Sequence, residues 1–261
     1  MRDWNTRHRL PVRGAVLDGC GGIGGVAHGL VRAGLDVYGV DSNPALEEDY
    51  MKSGAKGFYC RDILEALEDR DFMAQFSGAS VSPPCQNQSQ MSNCRPGLAA
   101  TYAQLIGPCR DRLAPLGIPF VIENVSGSRR LMNNPETLCM WGHFGRHGYR
   151  HRLVEAGGGL VLKSPAATSA DVPVDHTPSK RPDRPNWECG QPHPVAAARA
   201  GHWKPGRFIS VAGHERREPV RAVMEMPWAT RREDVAEAVP WYMAYWWGTQ
   251  LREQMEMERA A

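Results

Sequence analysis

A cysteine stands on a proline-stiffened loop in the segment Ser82-Pro83-Pro84-Cys85-Gln86-Asn87-Gln88-Ser89. The loop follows an apolar run, Ala79 to Ser82, that is typical of a strand. A cysteine just past a strand end is exposed and pre-positioned, and its thiolate can act as a nucleophile. An isolated cysteine is more often a buried structural residue. A chemical role for Cys85 therefore depends on what accompanies it.

Two charged segments provide partners for such a thiol. Glu123-Asn124-Val125 ends the apolar run IPFVIENV, and a carboxylate beside a low-dielectric core has a raised pKa that helps it hold or donate a proton. Arg150 and Arg152 alternate in sequence, so on a strand they would share one face and could reach one pocket. In isolation, an ordinary strand-end acid and a solvent-facing strand edge would be the better interpretations of these segments.

A glycine-rich βαβ unit precedes both segments. Residues 14–25, GAVLDGCGGIGG, lead a short apolar strand into a glycine cluster, followed by a helix that Gly34 ends and a strand that ends at Asp41. The cluster would open a helix N-terminus to a polar, nucleotide-like ligand, and Asp41 stands where a ribose partner is expected. The unit fits NAD, FAD or S-adenosylmethionine about equally, and a tight turn without a ligand also remains open.

Strands and helices alternate through the first part of the chain. Leu98 to Leu116 has the pattern of a helix that Gly107-Pro108 should kink or split. The alternation predicts an α/β fold with a mostly parallel sheet and helices on both faces, in which ligands bind at the carboxyl ends of the strands. Polar or nucleophilic residues stand at or just beyond five of these predicted strand ends, namely Asp18, Asp41, Asp62, Cys85 and Glu123.

Composition places the chain among globular proteins. It has 261 residues, 42% of them hydrophobic and 23% charged, with a net charge of only +2. Because no signal-peptide core or membrane-length apolar run is present, we expect a cytoplasmic protein, in a bacterial or phage-infected cell, with no membrane association. Seven scattered cysteines do not resemble a secreted disulfide framework. The loose spacing of Cys189 and His193 lacks a second pair, so we expect no metal.

The character of the sequence changes after the predicted sheet. Residues 161–217 are rich in Pro, Gly, His, Arg and Trp with little periodicity, apart from one strand-like patch at Arg207 to Val211. From Lys163 to Arg217 the basic residues outnumber the acidic ones, which fits a solvated face or a nucleic-acid contact equally well. We therefore predict a first domain over 1–160, a small irregular lobe over 161–217 and helices over 218–261 that complete the first domain.

Two signals mark helices in the last part of the chain. Thr230-Arg231-Arg232-Glu233 is typical of a capping box at a helix start. Pro240 precedes a run with Trp241, Tyr245 and Leu251 at helical spacing, which predicts a final helix opening at the proline.

Together and in this order, these segments resemble the cytosine-5 DNA methyltransferase family. The resemblance extends over about residues 14–158 and resumes near 219, and the ordered combination of its motifs is highly specific. The matched motifs are the glycine motif at 18–25, the proline-cysteine-glutamine motif at Pro84-Cys85-Gln86 with Ser89 in the usual serine place, the ENV motif at Glu123-Asn124-Val125, and the Arg-x-Arg part of QxRxR at Arg150 and Arg152.

The resemblance implies methyl transfer from S-adenosyl-L-methionine to carbon 5 of cytosine in double-stranded DNA, on a base flipped out of the helix. Cys85 would attack carbon 6, and Glu123 would protonate or hydrogen-bond ring nitrogen 3. Arg152 would contact oxygen 2 of the base and Arg150 would order the pocket. The further substrate-binding residues that it implies are Gln86, Ser89 and Asn124.

The same resemblance implies a Rossmann-like S-adenosylmethionine-dependent fold with a small target-recognition lobe. We expect a monomer. In the lobe, candidates for DNA contact are Lys180, Arg181, Arg184, His202, Lys204 and Arg207. The implied donor-binding residues are Asp18, Cys20, Gly22, Ile23, Gly24, Asp41, Ser42, Asp62, Ile63 and Pro84.

The chain departs from the family pattern at several places. Cys20 replaces a phenylalanine that packs on the adenine, Gly19 replaces a leucine, and Gly148 stands in the glutamine place of QxRxR. In the closing motif Glu237 stands in the place of an asparagine that neighbours the donor. Three alternatives stay open: an RNA cytosine methyltransferase of the same architecture, a catalytically silent DNA-binding homologue, and transfer of a modified methyl group.

Overall fold

The structure is a computed structural model that describes residues 14–84, 104–165, 209–211 and 217–260. Its strands are β1 (Ala15–Gly19), β2 (Val37–Asp41), β3 (Gly57–Cys60), β4 (Phe76–Val81), β5 (Phe120–Asn124), β6 (Glu136–Cys139), β7 (Gly148–Tyr149), β8 (His151–Gly157) and β9 (Ile209–Ser210). Its helices are α1 (Gly25–Arg32), α2 (Glu47–Met51), α3 (Ile63–Glu68), α4 (Arg70–Met73), α5 (Ile106–Leu113), α6 (Arg217–Met224), α7 (Arg232–Glu237) and α8 (Trp241–Ala260). Short 3-10 helices cover Pro44–Leu46, Ala114–Leu116 and Ser126–Leu131.

Seven of the described strands form one sheet in the order β3-β2-β1-β4-β5-β8-β6. The first five in chain order, β1 to β5, are parallel to one another, whereas β8 runs antiparallel to both β5 and β6. The prediction of a mostly parallel α/β sheet is therefore confirmed. The chain builds outward from β1 to β3 and then returns to place β4 on the other side of β1, so a crevice opens between β1 and β4, where ligands bind in folds of this kind.

The sheet is buried on both faces, which explains why its strands are almost continuously apolar. On β1, Val16 faces the layer that contains α1 and α8, while Ala15 and Leu17 face the layer that contains α3 and α5. All three side chains are at most 1% exposed. This two-sided core holds the carboxyl ends of the parallel strands at a common edge.

Helices α1 and α8 are in close contact because glycines line their interface. A Cβ added at Gly29 would lie 2.2 Å from the carbonyl oxygen of Trp241, and one added at Gly248 would lie 2.9 Å from Leu30 Cδ2. The last helix is thus packed directly on the helix that follows the glycine cluster. As a result, the C-terminal segment reaches the same edge of the sheet as the strand ends.

Two local predictions differ from the structure. The described part of the helix expected over 98–116 begins at Ile106, and Pro108 lies in its first turn, where a missing backbone donor costs nothing. The capping-box prediction at Thr230 was wrong. Arg231 occupies the N-cap of α7 without a side-chain capping bond, and its guanidinium instead pairs with Asp234 at 2.7 Å.

Much of the predicted lobe lies outside the described residues, including all six candidate DNA contacts. Its described parts are residues 161–165, 209–211 and 217, and β9 within them pairs in parallel with β7. Among the described helices, none combines the length and the apolar character that a membrane span requires.

Candidate active site

The candidate residues gather at the carboxyl edge of the sheet. Asp18 lies on β1 beside Ser80 of β4, and Val81 of β4 lies beside Ile122 of β5. Asp41 ends β2, and Glu123 lies next to the end of β5. The predicted strand-end acids thus border the crevice between β1 and β4 and extend to either side of it.

The glycine cluster forms a tight loop between β1 and α1. Backbone φ angles are positive at Cys20 (57°), Gly22 (54°) and Gly24 (84°), a conformation that glycine adopts without strain and other residues rarely adopt. The Gly22 N–H donates to Asp41 Oδ2 at 3.1 Å, which fixes the loop to the next strand. A Cβ at Gly22 would meet no atom of the described residues within 4 Å, so among them the loop presents bare backbone.

Asp41 supports its surroundings with both carboxylate oxygens. Besides Gly22, it accepts a hydrogen bond from the Asn43 N–H through Oδ1 at 3.0 Å. The adjoining Ser42 is exposed. Asp41 therefore shapes the loop in the structure, and its predicted contact with a ribose stays a prediction.

Asp62 caps the helix that follows β3. Its Oδ1 accepts hydrogen bonds from the backbone of Leu64 (2.8 Å) and Glu65 (3.2 Å), while the residue itself is exposed. The next residue, Ile63, is buried and its Cδ1 would lie 2.6 Å from a Cβ added at Gly19. The Ile63 side chain thus takes the room that a larger residue at position 19 would need, so this packing requires glycine there.

Asp18 is a buried carboxyl beneath the glycine loop. Its Oδ2 accepts a hydrogen bond from the Tyr50 hydroxyl at 3.0 Å, and its Oδ1 has no hydrogen-bond partner within the described part of the chain. Burial raises the pKa of Asp18 to about 7, and the nearby charges of Asp41 and Glu123 add to this effect, while the Tyr50 hydrogen bond opposes it. Asp18 can therefore take up or release a proton near neutral pH.

Glu123 and Arg152 form a buried ion pair at the end of β5. The Arg152 Nε lies 2.7 Å from Glu123 Oε1, with side chains 9% and 5% exposed, respectively. Burial raises the pKa of Glu123, whereas Arg152, the Ser82 hydroxyl and Arg150 lower it. The carboxyl is thus held in one orientation and can carry a proton at a higher pH than an ordinary glutamate.

Asn124 ties this pair to the loop that leads to the cysteine. Its Nδ2 donates to the Pro83 carbonyl at 2.9 Å, and its Oδ1 accepts from the Val125 N–H (3.0 Å) and the Ser128 hydroxyl (2.5 Å). Asn124 therefore positions the loop, and its predicted substrate contact is untested. Pro84 is exposed. Cys85, Gln86 and Ser89 lie outside the described residues.

Arg150 connects three parts of the chain just before β8. Its Nη1 donates to the carbonyl of Val211 at 3.2 Å and its Nη2 to the carbonyl of Ala238 at 2.7 Å. It joins the sheet to the return from the lobe and to the closing motif. Arg152 contacts Glu123 directly, whereas Arg150 acts on Glu123 through its charge.

The chain is similar in fold to solved methyltransferase structures. The S. pombe Dnmt2 methyltransferase superposes with a TM-score of 0.53 at 15% sequence identity, and the match covers 93% of this chain and 99% of that one. This is a methyltransferase fold. An Entamoeba histolytica methyltransferase, EhMeth, gives a TM-score of 0.49 at 13% identity, over 95% of this chain and 99% of that chain. Neither a protein-family model nor a curated protein sequence matches this chain.

Three residues of the methyltransferase fold were missed by sequence reasoning. Tyr50 supports Asp18 from α2, the Ser82 hydroxyl acts on Glu123, and Trp228 donates from its Nε1 to the carbonyl of Ile23 in the glycine loop at 3.0 Å. Ser82 could have been found from its place directly before the two prolines. The other two approach from distant parts of the sequence, and no local pattern marks them.

The residues present suit S-adenosylmethionine as a donor. The bare backbone at Gly22 gives room for a ligand at the helix start, and two polar groups lie near it: the Asp18 oxygen that accepts no hydrogen bond from the described residues, and the exposed Asp62. No cluster of three or more metal-ligating side chains occurs among the residues described.

Proposed function

We propose that this chain transfers a methyl group from S-adenosylmethionine to carbon 5 of cytosine in double-stranded DNA, with Cys85 as the covalent nucleophile. The observation that carries the proposal is the hydrogen bond from Asn124 Nδ2 to the Pro83 carbonyl, 2.9 Å long. Because Pro83 is two residues before Cys85, this bond anchors the cysteine loop to the strand end that holds Glu123. Asn124, the residue after Glu123, thereby holds the loop that leads to Cys85 next to the acid that we propose carries the proton.

The buried acid has the properties that the first step needs. The Cys85 thiolate adds to carbon 6 of a base flipped out of the duplex, while Glu123 gives its proton to ring nitrogen 3. The raised pKa of Glu123 lets it carry that proton, and Arg152 fixes the carboxyl in place and balances the charge that is left behind. Arg152 would also face oxygen 2 of the base.

The second half of the reaction restores the enzyme. Bound S-adenosylmethionine would supply an electrophilic methyl group on a sulfonium. Carbon 5, made nucleophilic by the addition at carbon 6, would form the new bond to that methyl group as the methyl–sulfur bond breaks and leaves a neutral thioether, S-adenosylhomocysteine. Water would then take the carbon 5 proton, which re-forms the double bond between carbons 5 and 6 and expels the Cys85 thiolate. Nitrogen 3 would return its proton to Glu123, so the enzyme is restored without an oxidant or a reductant.

The donor would lie on the glycine loop. Backbone at Cys20, Gly22, Ile23 and Gly24 would approach it closely, with Asp18 beneath. The remaining predicted donor contacts follow the neighbouring strand ends, at Asp41, Ser42, Asp62, Ile63 and Pro84. The short thiol of Cys20 gives little surface for stacking on an adenine, so we expect the loop shape to provide much of the affinity.

Residues 161–217 would meet the DNA. Two observations support this. Basic side chains outnumber acidic ones in the segment, and Arg150, whose charge acts on Glu123, donates to the carbonyl of Val211 near the end of the segment. Phosphate contacts from such a segment would hold the duplex while the base enters the pocket.

The decisive experiment offers labelled S-adenosylmethionine with duplex DNA and, in parallel, with tRNA, and identifies the product base by mass spectrometry. We expect 5-methylcytosine in DNA, none with Cys85→Ala, and a covalent complex of the wild type with DNA containing 5-fluorocytosine. Product in tRNA alone would assign the chain to RNA modification. A heavier product base would indicate a modified methyl donor, and donor binding without product or trapped complex would indicate a silent homologue.

A further inference from the structure

A contact between the C-terminal segment and the glycine loop has no counterpart in the motifs. Trp228 lies in the turn between α6 and α7, 205 residues from the loop in sequence, and its indole Nε1 donates to the carbonyl of Ile23 at 3.0 Å. Ile23 is buried and immediately precedes Gly24, whose positive φ starts α1. The bond therefore holds the backbone of the glycine loop at Ile23, one residue before the left-handed Gly24.

The turn that carries Trp228 is held firmly. The Ala229 N–H donates to the Met226 carbonyl at 3.2 Å, and Arg217 Nη1 donates to the Thr230 carbonyl at 2.6 Å. Arg221 donates to the carbonyl of Pro227. Hydrogen bonds thus hold the backbone on both sides of Trp228. We therefore expect the indole to stay in place, so that its bond to Ile23 restricts the conformation of the glycine loop.

The ring is also held from the side of α1. His28 lies 4.8 Å from Trp228 and 5.8 Å from Trp241, measured between ring centroids. Its Nε2 accepts a hydrogen bond from Arg32 Nε at 2.9 Å, so its Nδ1 carries the proton that is donated to the Ser53 carbonyl at 3.0 Å. A neutral His28 is thus fixed as a wedge between the two indoles.

We propose that Trp228 is a positioning residue for the methyl donor, because its bond to the Ile23 carbonyl holds the glycine loop in the donor-binding shape. The inference rests on the proposed function and adds a residue to it. A loop that binds a ligand through its backbone has a higher affinity when the free protein already holds the bound conformation, because binding then loses less conformational entropy. Trp228 would act on donor affinity and leave the chemistry at Cys85 alone.

The test compares Trp228→Phe with Trp241→Phe. Both variants keep an aromatic ring next to His28, but only the first removes the N–H that reaches Ile23. We expect the Kd and KM for S-adenosylmethionine to rise about five- to tenfold in Trp228→Phe, the loss of one hydrogen bond, with kcat within about twofold of the wild type. Trp241→Phe should leave all three constants within about twofold.

A second measurement uses the unmodified protein. Hydrogen exchange with and without S-adenosylmethionine should show that the donor protects both the peptide over 20–30 and the peptide over 222–232. Unchanged donor affinity in Trp228→Phe, or protection confined to the first peptide, would overturn the inference while the proposed function stands. A wild-type protein that binds no S-adenosylmethionine would overturn the proposed function and the inference with it.

Discussion

The two halves of the carboxyl edge are built on different principles. At β4, β5 and β8, where we propose that the methyl acceptor binds (the acceptor half), Glu123 and Arg152 form a buried ion pair and Asn124 donates to the Pro83 carbonyl. At β1 to β3, where we propose that the methyl donor binds (the donor half), the bonds that shape the glycine loop join side chains to backbone: Asp41 accepts from the Gly22 N–H and Trp228 donates to the Ile23 carbonyl. The acceptor half thus presents a charged pair, and the donor half presents a backbone shape above the buried pair of Asp18 and Tyr50.

The two parts of the edge place different limits on substitution. A charge at a defined atom requires one residue type, so we expect replacements of Glu123 and Arg152 to be poorly tolerated. A backbone shape can be reached with several sequences if the space around it is filled, as Ile63 fills the space beside Gly19.

The largest expected effect is the loss of methyl transfer in Cys85→Ala without a loss of donor binding. Cys85→Ala removes the nucleophile that we propose and should lower methyl transfer by on the order of 10⁴-fold or more. Because the glycine loop is untouched, the Kd for S-adenosylmethionine should stay within about twofold of the wild type. Calorimetry and product analysis on the same preparation measure both quantities. Residual transfer near the wild-type rate would remove Cys85 from the mechanism.

The next effect tests whether Glu123 acts as an acid or only as half of an ion pair. Glu123→Gln should lower kcat by about 10³-fold, because the amide cannot deliver a proton to nitrogen 3. Glu155→Gln is the matched control, since Glu155 is also buried and forms a two-pronged pair with Arg110 at 2.5 and 2.7 Å.

Loss of a partner in that second pair should cost about 3 kcal/mol in the free energy of unfolding, with kcat nearly unchanged in the folded protein. Denaturant titration and steady-state kinetics of both variants provide the comparison. Equal losses of kcat in the two variants would mean that Glu123 is a structural residue.

The sheet and the gathering of Glu123, Arg150 and Arg152 at one edge could be predicted from the sequence because their signals are local. Apolar runs ending at Asp41 and Glu123 gave β2 and β5, and the spacing of Arg150 and Arg152 placed both near Glu123. The roles of Asn124 and Arg150 as links were not predictable, since their partners, Pro83, Val211 and Ala238, are backbone carbonyls that carry no sequence signature.

The sequence-based prediction of a capping box at the start of α7 was wrong. The pattern at Thr230 favoured a capping box, but the helix has Arg231 at its N-cap, and the Arg231 side chain pairs with Asp234 in the first turn. Tyr50 and Trp228 were missed for a different reason. Their contacts with Asp18 and Ile23 span 32 and 205 residues, and only the folded chain brings them together.

A buried acid in the donor half should also affect stability through pH. The pKa of Asp18 is raised to about 7 in the folded chain from an ordinary value of 3.8, so the folded state keeps its proton while the unfolded chain releases it. The free energy of unfolding should therefore fall as pH rises from about 4 to 7, by on the order of 4 kcal/mol from this residue.

Asp18→Asn isolates this contribution, because the amide imitates the protonated acid and keeps the partner of Tyr50. Denaturant titrations at several pH values should give a flatter profile for Asp18→Asn than for the wild type. Parallel profiles would mean that the carboxyl is already ionised in the folded protein, and that charge as well as shape matters in the donor half.

The smallest expected effect tests the hydrogen bond from Asn124 to the Pro83 carbonyl, which we propose positions Cys85 relative to Glu123. Asn124→Ala removes the bond to the Pro83 carbonyl and should lower kcat about tenfold, because the cysteine loop then samples positions away from Glu123. The donor half does not depend on this bond, so the KM for S-adenosylmethionine should hold within about twofold. Ser128→Ala removes a different partner of Asn124, at 2.5 Å, and leaves the bond to Pro83, so it should change kcat by less than about twofold. If both variants lose kcat equally, the turn after β5 as a whole, and not the bond to Pro83, sets the position of the nucleophile.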